Sequence, residues 1–345
     1  MRRATLAAVL VFTAAACNGS VAQTRTSAAA ISSRTGTTAA LCTFPVASLD
    51  EQSNWRGYFL TVPTAAKTAP VLIFVQPGQL FQTVDKPVLT GNAGIGGVYD
   101  RAFDRWLPAE WSAVSPDGTH YAYVVGRASD NELHIVDVRT GNDRIAIAHG
   151  KYYPLAYRSE GLYLAERTAG GLWTGSGLHV LDLTTNGIRR LHSSDRTEFW
   201  RYMAGNFAYG GDINPADPNP PGFGEAPDEL VRFDLSSGAV VRFQYHPGQQ
   251  AYPIGTTTSG QLIAMVEGFT GPQLIDVAGN AASIPGAPPD SWPFTDSQRT
   301  WLVSRGLNGT GQHRNSSLYL ISDGRAVHEM DFQFGGNDRL AGTCA

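Results

Sequence analysis

A unit of strand, tight turn and strand recurs along this chain at intervals of about 40 to 50 residues. The third strand of each unit ends on a polar residue, just before the chain reverses. These residues are Asp100, Asp137, Asp182, Asp234, Asp276 and Ser322. Such a repeat indicates a β-propeller, because each unit can bury its faces only against its neighbours. Six units predict six blades, and seven is the alternative if residues 42–82 hold a further blade.

The clearest unit runs from Trp111 to Ile147. Its first half predicts a strand, a tight turn at Ser115-Pro116-Asp117-Gly118 and a second strand. Pro116 presets φ at the second turn position, Asp117 can bond its own backbone, and Gly118 supplies a positive φ. A second hairpin follows, with its turn at 139–142. Four strands within about 45 residues match one propeller blade.

The turn formed by Ser115, Pro116, Asp117 and Gly118, with the tyrosine-rich strand after it and the run LHIVDVRTG, resembles the WD40-like repeat of TolB-type propellers. Related blades occur in the propeller domains of prolyl oligopeptidases. The resemblance implies an all-β fold, a single β-propeller of four-stranded blades. It implies little about function, because propellers host binding, scaffolding and catalysis alike.

The aligned acids before the turns have a structural interpretation, since a carboxylate in that place can accept backbone N–H bonds from the turn. His134 and His179 occupy equivalent strand positions in consecutive units, where a pair of metal ligands could be suspected. The same position holds Val231, Gln273 and Tyr319 in later units. A position that accepts such different side chains favours a half-exposed strand residue over a metal ligand.

The composition agrees with a turn-rich all-β protein, because 38 glycines and 20 prolines accompany only 16% charged residues. The formal net charge is −4 and the isoelectric point about 6.1. Binding to nucleic acid calls for a basic patch, and this charge balance does not indicate one. We therefore expect no nucleic-acid partner.

The first residues predict export. Met1-Arg2-Arg3 and the apolar run from Ala4 to Ala16 are typical of a signal peptide over residues 1–16. Small residues directly before Cys17 resemble a bacterial lipobox, which predicts a lipid on Cys17, a polar tether over 17–41 and the propeller over 42–345. The alternative is an ordinary secretory signal whose cleavage discards Cys17. With the lipid, the protein is anchored on the extracytoplasmic side of the cell membrane.

Two cysteines remain for the exported domain, Cys42 at its start and Cys344 near its end. The two ends of a propeller meet, and exported proteins form disulfides, so we expect a Cys42–Cys344 bond. Two free thiols are the alternative. The sequence around these cysteines lacks the paired spacing of a zinc site.

The longest insertion runs from Gly211 to Glu229 and contains five acids, five prolines and neither Lys nor Arg. Long loops on rigid scaffolds often carry function. The spacing of Asp212, Asn214 and Asp217 could begin a calcium-binding loop, although the Glu and Gly of an EF-hand are missing from their places. The alternatives are a ligand-facing loop without a metal and a surface loop without function.

The leading functional hypothesis is a monomeric, lipid-anchored binding module that recognises an envelope protein or a small or glycan ligand, without a cofactor and without chemistry of its own. Gly175-Ser176-Gly177 lacks the spacing of a serine hydrolase elbow. The alternative is a propeller enzyme, either a calcium-dependent lactonase-like hydrolase or a carbohydrate-active protein. A purely structural envelope protein is a third reading.

Overall fold

Antiparallel sheets make up the regular structure of the chain in a computed structural model. The structure describes residues 42–49, 54–74, 97–127, 130–167, 175–194, 196, 198–217, 227–296, 298–304, 315–333 and 338–344. All of these residues belong to one compact unit, Ala39–Ala345. The predicted signal peptide, Cys17 and the tether lie outside the described residues. The described residues form no helix long and apolar enough to cross a membrane.

Six sheets radiate as blades, so the chain is an all-β, six-bladed propeller. The first blade contains β1 (Cys42–Leu49), β2 (Trp55–Val62) and β3 (Val71–Phe74), and a hairpin of β4 (Val98–Asp100) and β5 (Arg105–Leu107) follows. The second blade contains β6 (His120–Arg127), β7 (Asp130–Asp137) and β8 (Asp143–Gly150). The third contains β9 (Tyr152–Arg158), β10 (Gly161–Arg167), β11 (Gly175–Leu181) and β12 (Ile188–Ser193).

The next three blades each have four consecutive strands. The fourth contains β13 (Phe199–Ala204), β14 (Phe207–Asp212), β15 (Glu229–Asp234) and β16 (Val240–Phe243). The fifth contains β17 (Ala251–Thr256), β18 (Leu262–Val266), β19 (Gln273–Ile275) and β20 (Ala281–Ser283). The sixth contains β21 (Ser291–Thr295), β22 (Thr300–Ser304), β23 (Asn315–Ser322) and β24 (Arg325–Gln333), and the last strand is β25 (Arg339–Leu340).

The first strands of neighbouring blades contact one another from β9 through β13 and β17 to β21, so these strands surround the axis. Because each blade is an antiparallel meander, its connections alternate between the two ends of the ring. We call the end with the connections from second to third strand the loop face, and the opposite end, with the other tight turns, the turn face. The insertion between β14 and β15 lies on the loop face.

Apolar faces of adjacent blades pack together around the ring. Phe44 of the first blade meets Trp301 of the sixth edge-on, with ring centroids 4.9 Å apart. Leu133 of the second blade packs with Leu162 of the third, and every next pair of blades shares a similar cluster. Burying one such side chain contributes about 1.5–3 kcal/mol, so the ring is stabilised by many contributions of this size.

The C-terminal segment closes the ring. Strand β25 pairs antiparallel with β1, with Val46 opposite Leu340, and becomes the innermost strand of the first blade. The N–H of Ala341 donates to the carbonyl of Pro45 at 2.8 Å. A disulfide joins Cys42 and Cys344, whose Cα atoms are 5.4 Å apart, as the sequence predicted. The first and last described segments are therefore joined to each other at the first blade.

The assignment of the first unit was wrong in one respect. The sequence pattern placed Val98–Asp100 as the third strand of the first blade, but in the structure β4 pairs with β5 alone. The third strand of that blade is β2, which ends at Val62 without an acid. The hairpin instead lies beside the C-terminal segment, because the N–H of Tyr99 donates to the carbonyl of Ala341 at 2.8 Å.

The first half of the second unit also differs from the prediction. Trp111–Ala113 is a 3-10 turn, not a strand, and only Val114 forms a bridge, to Tyr121. This blade therefore has three strands among the described residues. The innermost place is taken by the short turn and the bridge.

The predicted turn after it is confirmed. The Ser115 Oγ donates to Asp117 Oδ1 at 2.7 Å, and the Thr119 N–H donates to the same oxygen at 3.0 Å. Gly118 has φ +71°, and a Cβ there would lie 2.9 Å from an Asp100 carboxylate oxygen. Glycine is required at this position for both reasons.

The structural interpretation of the aligned acids is confirmed as well. Each carboxylate accepts a backbone N–H from the turn after it, at 2.7–2.8 Å. The residues are Asp100, Asp137, Asp182, Asp234 and Asp276. They are spread around the turn face, each beside its own turn.

Loss of the Cys42–Cys344 bond should destabilise the whole domain. The bond joins residues 302 positions apart, so its removal should lower the free energy of unfolding by about 5 kcal/mol through unfolded-state entropy. Urea denaturation of the oxidised chain, the reduced chain and the Cys42→Ala/Cys344→Ala chain measures this difference. Coincident curves for the oxidised and reduced chains would show that the disulfide does not stabilise the domain.

The turn carboxylates should also make stability depend on pH. Hydrogen bonds from Ser115 and the Thr119 N–H lower the pKa of Asp117 from 3.8 to about 2, and bonds from Ser236 do the same for Asp234. A lowered pKa in the folded state stabilises above pH 4, and this contribution is lost as the pH falls towards 2. Thermal midpoints between pH 5 and 2 should fall less steeply for Asp117→Asn than for the native chain, whereas parallel curves would contradict this assignment.

Candidate functional site on the loop face

The fourth blade carries a cluster of buried charges at its loop-face end. Strand direction explains the clustering, because β13 and β15 begin at this end while β14 and β16 finish there. Glu198 directly precedes β13, Asp212 ends β14, and Glu229 begins β15. All three carboxylates are buried, and Glu198 and Asp212 have no solvent exposure. Buried carboxylates need charged partners, since desolvating an unpaired one is costly.

Two arginines supply those partners. Arg242 Nε donates to Asp212 Oδ2 at 2.8 Å, and Arg242 Nη2 donates to Glu198 Oε1. Arg196 Nε lies 2.8 Å from the same Asp212 oxygen, and its Nη2 donates to Glu229 Oε2 at 2.7 Å. We call these five residues the arginine network. It ties the start of the long insertion, at Asp212, to its end, at Glu229.

The pKa shifts within the arginine network result from two opposing effects, burial and ion pairing. Burial raises the pKa of Asp212, while the hydrogen bond from Arg242 and the charge of Arg196 oppose the rise. Burial likewise raises the pKa of Glu229 against the hydrogen bond from Arg196. Burial acts to lower the pKa of Arg242, but the hydrogen bond and charge of Asp212 and the charge of Glu198 outweigh it and raise this pKa. The network is therefore a set of charges that depend on one another.

The insertion continues the network with a second set of contacts. The Asn214 N–H donates to Asp228 Oδ1 at 2.8 Å, which bridges the two sides of the loop. Asp217 Oδ2 accepts the N–H of Gly248 at 2.9 Å, from the connection after β16. The three residues expected from the calcium-loop spacing thus have different partners. Asp212 is engaged by two arginines, Asn214 by Asp228, and Asp217 by Gly248.

The two histidines singled out by the repeat lie in separate ion-pair groups. His134 Nδ1 is 3.0 Å from Asp143 Oδ1 and its Nε2 is 3.3 Å from Glu132 Oε2. His179 accepts from Arg190 Nε at 3.2 Å, and burial lowers its pKa. Over the described parts of the chain, no group of three or more His, Cys, Asp or Glu side chains is arranged to hold a metal ion.

Charged and aromatic residues also lie on the innermost segments of several blades, at the N-cap of the 3-10 turn and in β13, β17 and β25. We call this group the channel mouth, and it consists of Glu110, Arg201, Tyr252 and Arg339. A bulge between Trp200 and Tyr202 interrupts the register of β13 at Arg201. Such a bulge re-aims a side chain that would otherwise alternate with its neighbours.

The charges of the channel mouth act on one another. Burial lowers the pKa of Arg339, the charge of Glu110 opposes this, and the charge of Arg201 reinforces it. Yet Arg339 keeps an exposed surface. Its guanidinium carbon lies 5.8 Å from the centroid of the Trp55 ring. Two guanidinium groups and one carboxylate give this mouth a net positive charge, which suits an anionic group of a ligand.

A cavity of about 280 Å³ opens in the first blade near the same face. It is lined by polar and charged side chains, among them Arg56, Tyr58, Lys67 and Asp338. The Tyr58 hydroxyl donates to Asp338 Oδ2 at 2.7 Å. Burial and this carboxylate raise the pKa of Tyr58, so the phenol stays protonated and neutral. The cavity is a candidate subsite next to the channel mouth.

The sequence reading missed the arginine network and the channel mouth. Their members lie far apart in the chain, and their meeting depends on strand direction. One local clue existed, because Glu198 directly precedes an apolar strand and Glu229 is the first residue of another. An acid at such a boundary is buried with its strand and needs a basic partner.

Comparisons with known proteins concern the fold. No protein-family model matches the chain, and no curated protein matches it. TolB from Acinetobacter baumannii is similar at 14% identity, with a TM-score of 0.47 over 88% of this chain and 67% of that one. Virginiamycin B lyase from Staphylococcus aureus gives 10% identity and 0.43 over 85% and 86%. A prolyl endopeptidase gives 12% and 0.47 over 80% and 39%.

Removing one arginine should show how much the arginine network contributes to the free energy of unfolding. Arg242→Met deletes two ion pairs and leaves Asp212 and Glu198 buried, so the free energy of unfolding should fall by about 3–5 kcal/mol. Arg232→Met is the matched control in the same blade, because Arg232 donates to the uncharged Val277 carbonyl at 2.9 Å and lies over the Phe207 ring. Urea denaturation of both variants measures the difference, and equal losses would contradict a network that bears stability.

Proposed function

We propose that this protein is an exported, lipid-anchored β-propeller that binds an envelope protein or a small or glycan ligand through its loop face. In this proposal Cys17 carries the lipid, and the propeller acts as a monomer without chemistry of its own. The observation that carries the proposal is the juxtaposition, on one face, of an anchored long insertion and a positively charged channel mouth.

The physical case rests on rigidity and charge. A binding surface gains affinity when its groups are held in place before the ligand arrives, since less entropy is then lost on association. The arginine network fixes both ends of the insertion in this way. The channel mouth adds Arg201 and Arg339, whose planar guanidinium groups suit carboxylate or phosphate groups, and Tyr252, whose ring suits an apolar or sugar surface.

A capture experiment that compares a loop-face variant with a turn-face variant tests the proposal. The purified exported chain is immobilised and exposed to envelope extract, beside an Arg201→Ala/Arg339→Ala variant and a turn-face control, Arg139→Ala/Arg325→Ala. Both control residues are exposed arginines on the turn face. A specific partner should be retained by the native chain and the control, and its retention should fall at least about tenfold for the channel-mouth variant, since two charged contacts are lost.

Two results would overturn the proposal. One is equal capture of the same partner by all three chains, which would show that the loop face is not used. The other is turnover of a lactone, sugar or peptide substrate by the native chain that is lost in the channel-mouth variant. That result would favour a propeller enzyme. Thermal denaturation of both variants confirms that each is folded before capture is compared.

A further inference from the structure

A pair of buried carboxylates closes the long insertion of the fourth blade. Asp228 has no solvent exposure, and Asp217 is only 6% exposed. The two side chains approach within hydrogen-bonding reach of each other, and the Tyr245 hydroxyl lies beside Asp217. We call Asp217 and Asp228 the carboxylate pair. They come from opposite ends of the insertion, so whatever joins them fixes the loop.

One oxygen of the pair has no ordinary partner. Asp228 Oδ1 accepts the Asn214 N–H at 2.8 Å, but Asp228 Oδ2 has no hydrogen-bond partner among the residues that the structure describes. A buried carboxylate oxygen without a donor is costly, because neither water nor protein compensates its charge. Native proteins meet this cost by protonating the group or by placing a cation beside it.

The surroundings favour a cation. The carboxylate pair adjoins the arginine network, and together the two groups contain five buried carboxylates, Glu198, Asp212, Asp217, Asp228 and Glu229. The basic groups paired with these carboxylates are the guanidinium groups of Arg196 and Arg242 and the imidazole of His192. Acidic groups therefore outnumber basic ones five to three at this end of the blade. The two guanidinium groups are already engaged by Asp212, Glu198 and Glu229.

We propose that Asp217 and Asp228 together bind one divalent cation of the calcium class, through Asp228 Oδ2 and the Asp217 carboxylate. Calcium accepts carboxylate oxygens together with backbone carbonyls and water, and it tolerates irregular geometry, which suits a site with two side-chain ligands on a loop. The ligand set differs from the one suggested by sequence spacing. Asp228 takes the place of Asp212, which the arginines hold.

The bound ion would lock the insertion at a second point beyond the arginine network. The arginines join Asp212 to Glu229, while the cation would join Asp217 to Asp228. This proposal does not depend on the proposed binding function, because a cation can stabilise the loop whatever the loop face recognises. Its test therefore uses stability and metal content rather than partner capture.

Thermal denaturation of the metal-stripped, exported chain with and without calcium tests the proposal. Saturating calcium should raise the native midpoint by about 5 °C at neutral pH and constant ionic strength, since the ion binds only the folded state. Native mass spectrometry should show one calcium per chain. Asp228→Asn keeps the acceptor for the Asn214 N–H but removes the charge, so the apparent affinity should fall at least about tenfold.

Asp276→Asn is the matched control, because Asp276 is an exposed turn carboxylate on the opposite face. This variant should respond to calcium as the native chain does. If Asp228→Asn does not fold, the Asp217→Asn chain and terbium emission sensitised through Tyr245 in the native chain give the same answer. Calcium should displace the terbium.

Three results would overturn the proposal. The first is an unchanged midpoint and no bound metal in the native chain. The second is an equal calcium response in the native and Asp228→Asn chains. The third is a midpoint that rises only on acidification, and only when Asp228 is present, which would show that the carboxylate pair shares a proton and binds no cation.

Discussion

The closure of the ring is the constraint on which the rest of this structure depends. A propeller blade covers its apolar faces only with its neighbours, so an open ring would leave two faces exposed to water. Here β25 enters the first blade beside β1, and the Cys42–Cys344 bond holds the same junction. The contact between Phe44 and Trp301 then joins the last blade to the first.

A closed ring also explains how the fourth blade can bury so many charges. Each strand of that blade is fixed by neighbouring blades, so the carboxylates at its loop-face end have fixed positions that Arg196 and Arg242 can match. Ion pairs of this kind contribute little where side chains move freely, but they are costly to break when buried. The stable frame and the charged loop face are therefore two parts of one arrangement.

Features that depend on neighbours in sequence could be predicted from the sequence. The turn at Ser115 and Asp117 follows from residue chemistry within a few positions, and the acceptor role of Asp137 or Asp182 needs only the turn after it. The Cys42–Cys344 bond could be predicted because the ends of any propeller meet.

Features that depend on distant pairing could not be predicted in the same way. Val98–Asp100 matches the local pattern of a third strand, yet the C-terminal strand decides which segments complete the first blade. The meeting of Arg242 with Asp212 depends on the direction of strands 30 positions apart in the chain. The unpartnered oxygen of Asp228 results from packing between distant segments. The local sequence clue to it is that Asp228 directly precedes the apolar strand β15.

The most direct test of ring closure is removal of residues 338–345, followed by hydrogen exchange and urea denaturation. These residues include β25 and Cys344. The account predicts a single transition at a lower urea midpoint, with faster amide exchange in the first and sixth blades and at the fourth-blade end that carries the arginine network. An unchanged midpoint, with exchange altered only beside Leu340, would show that the ring does not depend on its last strand.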